Sequence, residues 1–275
     1  KTATDDGQRS EGLKLLSDKV TVITGASSGI GAALAVQLGK KGHALVLAAR
    51  REKELSQVAS KAGRRTLVVQ TDVTRRADVE HLRDAAIREF GHVDVWVNNA
   101  GKGITKAVME LTDADMDDII SVVLKSVVYG MQSIIPHFQE RGQGHLINVS
   151  SFLGRVPLVS YRSIYSAAKG AVNVLTANAR IDLRKEYPNI HVSLVLPGTV
   201  DTDFHRVANT PMRPVAGTRL GAYTVESSDD VASKIVTLIE NPAAELYTNP
   251  GMADLVLRYF EDVGKFEDSL EQRRS

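Results

Sequence analysis

Three side chains in the middle of the chain can move a proton: Ser151, Tyr165 and Lys169. Tyr165 and Lys169 stand one helical turn apart, which on a helix puts them on one face and within mutual reach. A tyrosine alone is a poor acid–base group at neutral pH, because its unperturbed pKa is about 10. A neighbouring ammonium favours the phenolate and brings that value toward the working range. Far upstream, Thr24-Gly25-Ala26-Ser27-Ser28-Gly29-Ile30-Gly31 has the spacing of a phosphate-cradling loop. The apolar run Val20 to Ile23 before it, and the helical periodicity of Ile30 to Lys41 after it, put these glycines on a strand-to-helix turn. There Gly25 lets the chain turn, Gly29 lets the backbone approach a pyrophosphate, and Gly31 lets the helix pack closely on the sheet. Taken singly, the loop reads as a tight turn and the Tyr-Lys pair as a surface pair; together they point to dinucleotide chemistry.

The elements that must position these residues follow from periodicity. Strands are expected at Val20–Thr24, Ala44–Ala48, Thr66–Gln70, Val93–Asn98, His145–Val149, His191–Leu196 and Glu245–Thr248. Their nearly continuous apolar character suits strands buried on both faces. Helices are expected between them, at Ile30–Lys41, Glu52–Lys61, Arg75–Phe90, Asp113–Glu140, Ser163–Glu186 and Ser228–Glu240. This alternation predicts one doubly wound α/β domain, a mostly parallel seven-stranded sheet with helices on both faces. Ligands on such a sheet bind at the carboxyl ends of the strands, where all the motif residues fall.

Composition narrows the class. The chain has 275 residues, 43% hydrophobic and 24% charged, enough core for one such domain. Lys plus Arg is 34 against 33 Asp plus Glu, with no basic block, so no nucleic-acid partner is expected. The absence of Cys excludes disulfides, thiolate metal sites and a cysteine nucleophile, and fits a reducing compartment. The seven His show no metal-ligand spacing, and no metal is expected. No apolar run approaches the ~20 residues of a membrane span, and residues 1–19 are too polar for a signal peptide. The expectation is a cytoplasmic protein with no membrane partner, a disordered leader over 1–18, a main domain over 19–250 and a C-terminal helical extension over 251–275. Within that extension Met252–Leu270 reads as one amphipathic helix, with Leu255, Tyr259, Phe260 and Val263 at helical spacing.

The motifs Thr24 to Gly31, Asp72-Val73, Asn98-Asn99-Ala100-Gly101, Ser151, Tyr165-x-x-x-Lys169 and Pro197-Gly198 followed by Thr202 resemble a classical short-chain dehydrogenase/reductase. The resemblance runs from about residue 19 to about 250. It implies a Rossmann-like domain, a homodimer or homotetramer, that moves hydride between a nicotinamide and a ketone, aldehyde or secondary alcohol. It implies Tyr165 as proton donor or acceptor, Ser151 as a hydrogen-bond partner of the same substrate oxygen, and Lys169 as a further contact to the nicotinamide ribose. Gly25, Ser27, Ser28, Gly29, Ile30 and Gly31 would line the pyrophosphate. Asp72 would bind the adenine amine with Val73 beside the ring; read alone, Asp72 is as good a cap for the helix near Arg75. Asn99, Ala100 and Gly101 would pass along the cofactor ribose, and Pro197, Gly198, Val200 and Thr202 would contact the carboxamide.

Cofactor choice turns on Ala48-Ala49-Arg50-Arg51, where no carboxylate precedes Glu52. An acid here binds the ribose hydroxyls of NAD, whereas a base pairs with the 2′-phosphate of NADP. NADP(H) is therefore expected over NAD(H), with Arg50 as the contact; the plain alternative is a solvated helix start. One departure stands out. Where the family has Asn on the long helix, in a pattern like V-N-L-K-G, this chain reads Val122-Val123-Leu124-Lys125-Ser126. In the family that Asn supports a helix kink through its side chain, and its carbonyl holds a water linked to the lysine. Valine keeps the carbonyl and loses the amide, which favours an alternative reading as a catalytically weak or inactive NADP-binding regulatory protein. A mostly apolar substrate pocket is expected from the segment Asp203–Thr224 and from Phe152, Leu153, Val156, Leu158 and Tyr161, any of which serves equally as core. Assembly is expected through the two long helices, by way of Ile134, Ile135, Val172 and Val174.

Overall fold

The computed structural model describes residues 19–202, 225–249 and 251–271. The expected leader and the Asp203–Thr224 connection lie outside the described residues. Seven apolar runs pair in parallel: β1 (Val20–Thr24), β2 (Ala44–Ala49), β3 (Thr66–Gln70), β4 (Val95–Asn98), β5 (Gly144–Val149), β6 (Ile190–Leu196) and β9 (Glu245–Tyr247). Their order across the sheet is β3-β2-β1-β4-β5-β6-β9, so the strand order reverses between β1 and β4. A crevice opens at such a reversal, beyond the carboxyl ends of the strands. Two short strands, β7 (Val200–Asp201) and β8 (Glu226–Ser227), pair separately. β4 starts later than the expected Val93. That residue is held by the far end of the long helix instead, its N–H donating to His137 Nε2 (3.1 Å) and its carbonyl accepting from Arg141 (2.7 Å).

Strand alternation divides the core between two faces. Ile23, Leu45, Leu47, Val97 and Ile147 meet Leu34 and Leu38 of α1 (Gly29–Lys40), Leu55 of α2 (Glu52–Ala62) and Ile235 of α6 (Ser228–Glu240). Val22, Val46, Trp96, Leu146 and Leu194 meet Leu82 of α3 (Arg76–Phe90), Ile134 and Phe138 of α4 (Asp113–Arg141), and Val172 of α5 (Ser163–Arg184). The doubly wound α/β reading holds.

The α4 helix is compound: α-helical over Asp113–Ile119, π-helical over Ile120–Lys125 and α-helical again over Ser126–Arg141. By length and composition it is the one helix among the described residues able to cross a membrane. Its Val127, Ile134 and Phe138 are packed on the sheet as core.

Three expectations need correction. Ile134 and Val172 are buried core and Ile135 packs against it, so of the expected assembly residues Val174 alone is exposed, at 60%, with Ile181 on the same helix at 70%. The C-terminal extension forms two helices, α7 (Met252–Glu261) and α8 (Val263–Glu271), not one. Asp262 breaks it: extended itself, it accepts from Lys265 N–H through its carboxylate and from Phe266 N–H through its carbonyl, starting a new helix. Finally, Phe152, Val156 and Leu158 are buried against Met252, Leu255 and Phe266 and form a satellite core. Of the expected pocket wall, Tyr161 stays open and Leu153 partly so.

Candidate active site

The glycine loop joins β1 to α1, and a third segment closes on it. Gly25 has φ +67°, and a Cβ there would stand 2.7 Å from Ala100 Cα; a Cβ on Gly31 would lie 2.6 Å from Asn99 Nδ2. Asn99 explains the closeness. Its Nδ2 donates to the carbonyls of Thr24 (3.0 Å) and Gly25 (3.3 Å), while the N–H groups of Asn99 and Ala100 donate to Thr24 Oγ1. Asn98 points elsewhere, into a buried chain with Trp96 Nε1, Asn148 and, beyond it, Thr176. Thr202 packs beside Gly29, which brings the Pro197–Thr202 segment to the same place. Val200 of that segment is core.

Donors converge on the start of α1. Its N-cap Ser28 makes no side-chain cap to the first-turn amides. Arg51 Nη2 lies 2.9 Å from both Ser27 Oγ and Ser28 Oγ. Amides, hydroxyls and a guanidinium at one helix N-terminus suit an anion, so the residues present fit a dinucleotide phosphate. Both arginines are exposed, but Arg51 rather than Arg50 holds this position, and the charge of Arg50 acts on Asp72 instead. The sequence offers both arginines as a pair and carries no sign of which one turns back over the loop. Asp72 accepts from Thr74 N–H (3.0 Å) and Thr74 Oγ1 (2.7 Å). Burial alone would raise its pKa, but these bonds and the charges of Arg50 and Arg75 outweigh that and hold it below the usual range. Val73 packs against the core beside it.

Across the crevice, Ser151 follows β5 and Tyr165 and Lys169 lie on α5, all three nearly buried. Tyr165 is hydrogen-bonded to Ser151. Lys169 Nζ stands 5.8 Å from the Tyr165 ring centroid, donates to the Val149 carbonyl (2.8 Å) and has Gly101 beside it. Burial pushes Lys169 down to about 8 and, for Tyr165, pushes up, opposed by the Ser151 hydrogen bond and the charge of Arg162. The expected lowering of Tyr165 by its lysine is not what its surroundings give: desolvation dominates and holds the phenol above its ordinary value, and the charge that opposes it is that of Arg162. Ser150 Oγ donates to Asn173 Oδ1 (2.5 Å), and Phe152 N–H donates to the Pro197 carbonyl (2.9 Å). These ties fix the serine strand against α5 and against the Pro197 turn. Sequence spacing gave no sign of Ser150, Asn173 or Arg162.

Residues 19–213 match the family model for short chain dehydrogenase. The chain belongs to the short-chain dehydrogenase family. An uncharacterised oxidoreductase of Bacillus subtilis, YxnA, is 36% identical over 240 residues, covering 86% of this chain and 66% of the relative, so the chain spans just under two thirds of that protein. A crystal structure of a short chain dehydrogenase/reductase from Burkholderia phymatum in complex with NAD is similar, with 29% identity, TM-score 0.81, and coverage of 90% of this chain and 95% of that one. An alcohol dehydrogenase from Thermococcus sibiricus complexed with 5-hydroxy-NADP is similar at 29% identity and TM-score 0.73, with coverage of 84% and 96%. The short-chain dehydrogenase fold thus binds nicotinamide cofactors in both phosphorylation states among its relatives.

Within this family framework, Val123 lies fully buried in the π-helical segment of α4, clustered with Ile119, Tyr165 and Ala168. The irregularity at this point persists without a side-chain amide. Ser126 N–H bonds the carbonyl five residues back, Ser121, and Ser126 Oγ donates to the Val122 carbonyl (2.6 Å).

Proposed function

We propose that this protein is an NADP(H)-dependent oxidoreductase that interconverts a small ketone or aldehyde with the corresponding alcohol. The nicotinamide, when bound, supplies or accepts hydride. Tyr165 gives a proton to the substrate oxygen in reduction and takes it back in oxidation. Ser151 donates a hydrogen bond to the same oxygen and orients it. Lys169 holds positive charge behind the tyrosine and reaches the nicotinamide ribose. The glycine loop, Asn99 to Gly101 and the Pro197–Thr202 segment seat the cofactor, and Arg51 pairs with the 2′-phosphate.

The observation that carries this reading is the contact of Tyr165 with Ser151 beside Lys169, on the same crevice as a glycine loop crowned by Arg51. Mixing the protein with NADPH or NADH and a panel of ketones and aldehydes, and following loss of reduced-nicotinamide absorbance, tests it. Turnover with NADPH well above NADH is expected; equal use of both would remove the NADP assignment. A second reading, a binder without turnover, is favoured by Val123 alone, and saturable NADPH binding with no substrate consumed is what it expects.

A further inference from the structure

One charged side chain beside the site has no part in the mechanism so far. Arg162 is 5% exposed and occupies the N-cap of α5, one turn before Tyr165. Its place is built from several directions. Its N–H donates to the Val159 carbonyl (3.0 Å) and its carbonyl accepts from Ser166 N–H (2.8 Å). Its Nη1 donates to the Ile104 carbonyl (3.2 Å). The neighbouring backbone bridges to Lys106, whose N–H donates to Tyr161 O (2.8 Å) and whose carbonyl accepts from Ser163 Oγ (2.8 Å). A guanidinium is thus fixed in a water-poor site at the start of the helix that carries Tyr165, where its charge is felt more strongly than in water.

We propose that Arg162 is a positioning residue for Tyr165, its fixed charge supplying the cationic surroundings that the phenolic oxygen needs when it is negative. The proposal rests on the function assigned to Tyr165 above. Lys169 cannot carry this role alone. Its ammonium donates one hydrogen bond to the Val149 carbonyl, and burial pushes it down to about 8, so its charge is lost as pH rises through that value. Arginine stays protonated throughout the accessible range. The attraction is mutual: Arg162 favours the ionised tyrosine, and Tyr165 in turn offsets part of the burial that lowers Arg162.

The other groups facing Tyr165 do not duplicate it. From α4 come apolar Ile119 and Val123, and from the loops Ile104 and Leu153. Lys102 and Lys106 of the preceding loop are paired with Asp118 and Asp115. From the turn after β5 comes the neutral Ser151.

The test titrates Tyr165 itself. Ultraviolet absorbance of tyrosinate is followed against pH, and the Tyr165→Phe curve is subtracted to isolate one residue. Arg162→Gln, which retains a donor for the Ile104 carbonyl, is expected to raise the Tyr165 midpoint by about one pH unit or more. Arg162→Lys should restore most of that shift, and the alkaline limb of kcat/KM should follow the same order. If Arg162→Gln does not fold, Arg162→His replaces it, since imidazole is neutral where tyrosine titrates and the same rise is expected. A midpoint unmoved in the neutral variant, or moved equally by Lys and Gln, overturns the proposal. Because this readout needs no turnover, a protein that consumes no carbonyl would sink the proposed activity and still leave the charge pairing decided by the titration.

Discussion

Two adjacent arginines follow β2, and the second is the one that reaches the hydroxyls of the glycine loop. Truncating Arg51 to Ala removes a charge-assisted contact, so NADPH affinity should fall by about 1.5–3 kcal/mol while NADH affinity barely moves. Arg50→Ala, at a side chain facing Asp72 and solvent, should cost less. Calorimetric titration of both variants with both cofactors checks this; equal losses for NADPH and NADH would remove Arg51 from phosphate recognition. At the other side of the crevice, Tyr165→Phe deletes one hydroxyl and leaves the ring packed among Ile119, Val123 and Ala168. Turnover should drop about 100-fold or more, with NADPH binding nearly intact, because general acid–base help is worth that much in the transition state. Activity surviving in Tyr165→Phe would overturn the mechanism. Ser151, Tyr165 and Lys169 were legible because a helix fixes the spacing of two of them and a strand end places the third. Arg162 was not, since nothing in the sequence tells that a charged residue at a helix start turns inward.

At the scale of elements, the strands and most helices follow from apolar periodicity, since the central strands β1, β2 and β4 are buried on both faces and the helices on one. The exceptions are local. Asp262 is of an N-cap type, but the apolar spacing of Leu255, Tyr259, Phe260 and Val263 runs straight across it, and the periodicity of Phe152–Leu158 suits a pocket wall as well as a surface covered by α7 and α8. The α4 irregularity is the case with functional weight. A π-helical turn lies at Ile120–Lys125, and Ser126 Oγ bonds the Val122 carbonyl there without any side-chain amide at position 123. Val123→Asn puts an amide into a dry cluster, and stability should fall by about 1–3 kcal/mol unless water or backbone satisfies it. Turnover should rise, or stay unchanged if the Val123 carbonyl already serves the relay. A variant active where the unaltered protein is inert would favour the regulatory binder. Gly25→Ala is the sharper element test: with φ +67° and a Cβ 2.7 Å from Ala100, the loop and the Asn99 turn cannot both keep their places. Cofactor binding should be lost at wild-type ligand concentrations, and unchanged affinity would show that this contact is not needed.

For the whole molecule, the family resemblance implies a dimer or tetramer, and Val174 and Ile181 are the exposed apolar residues that α5 offers to a second copy; light scattering tests the assembly, and Ile181→Asp should shift it toward monomer if this face is used. Acid stability rests on the opposite end of the sheet from the site. His43, bonded to Thr21 Oγ1, and His145, bonded to Ser193 Oγ, are both nearly buried. Ser193 gives its own proton to the Ala243 carbonyl (2.6 Å), so His145 must donate through Nε2, and its buried Nδ1 has no hydrogen-bond partner among the described residues to accept from it once protonated. Burial accordingly lowers His43 to about 4 and His145 to about 3, from an ordinary value near 6.5. Above pH 6.5 both states of the protein hold these rings neutral and neither ring affects stability. Below it the unfolded chain takes up protons that the folded chain refuses, so stability falls as pH drops from about 6.5 toward 4, by up to about 1.4 kcal/mol per pH unit for each ring. Urea midpoints measured across that range should decline, and His145→Gln, which keeps a donor for Ser193 without the titration, should flatten the decline. A midpoint that holds steady from pH 6.5 to 4.5 in the unaltered protein would mean that the rings are reached by water and titrate normally.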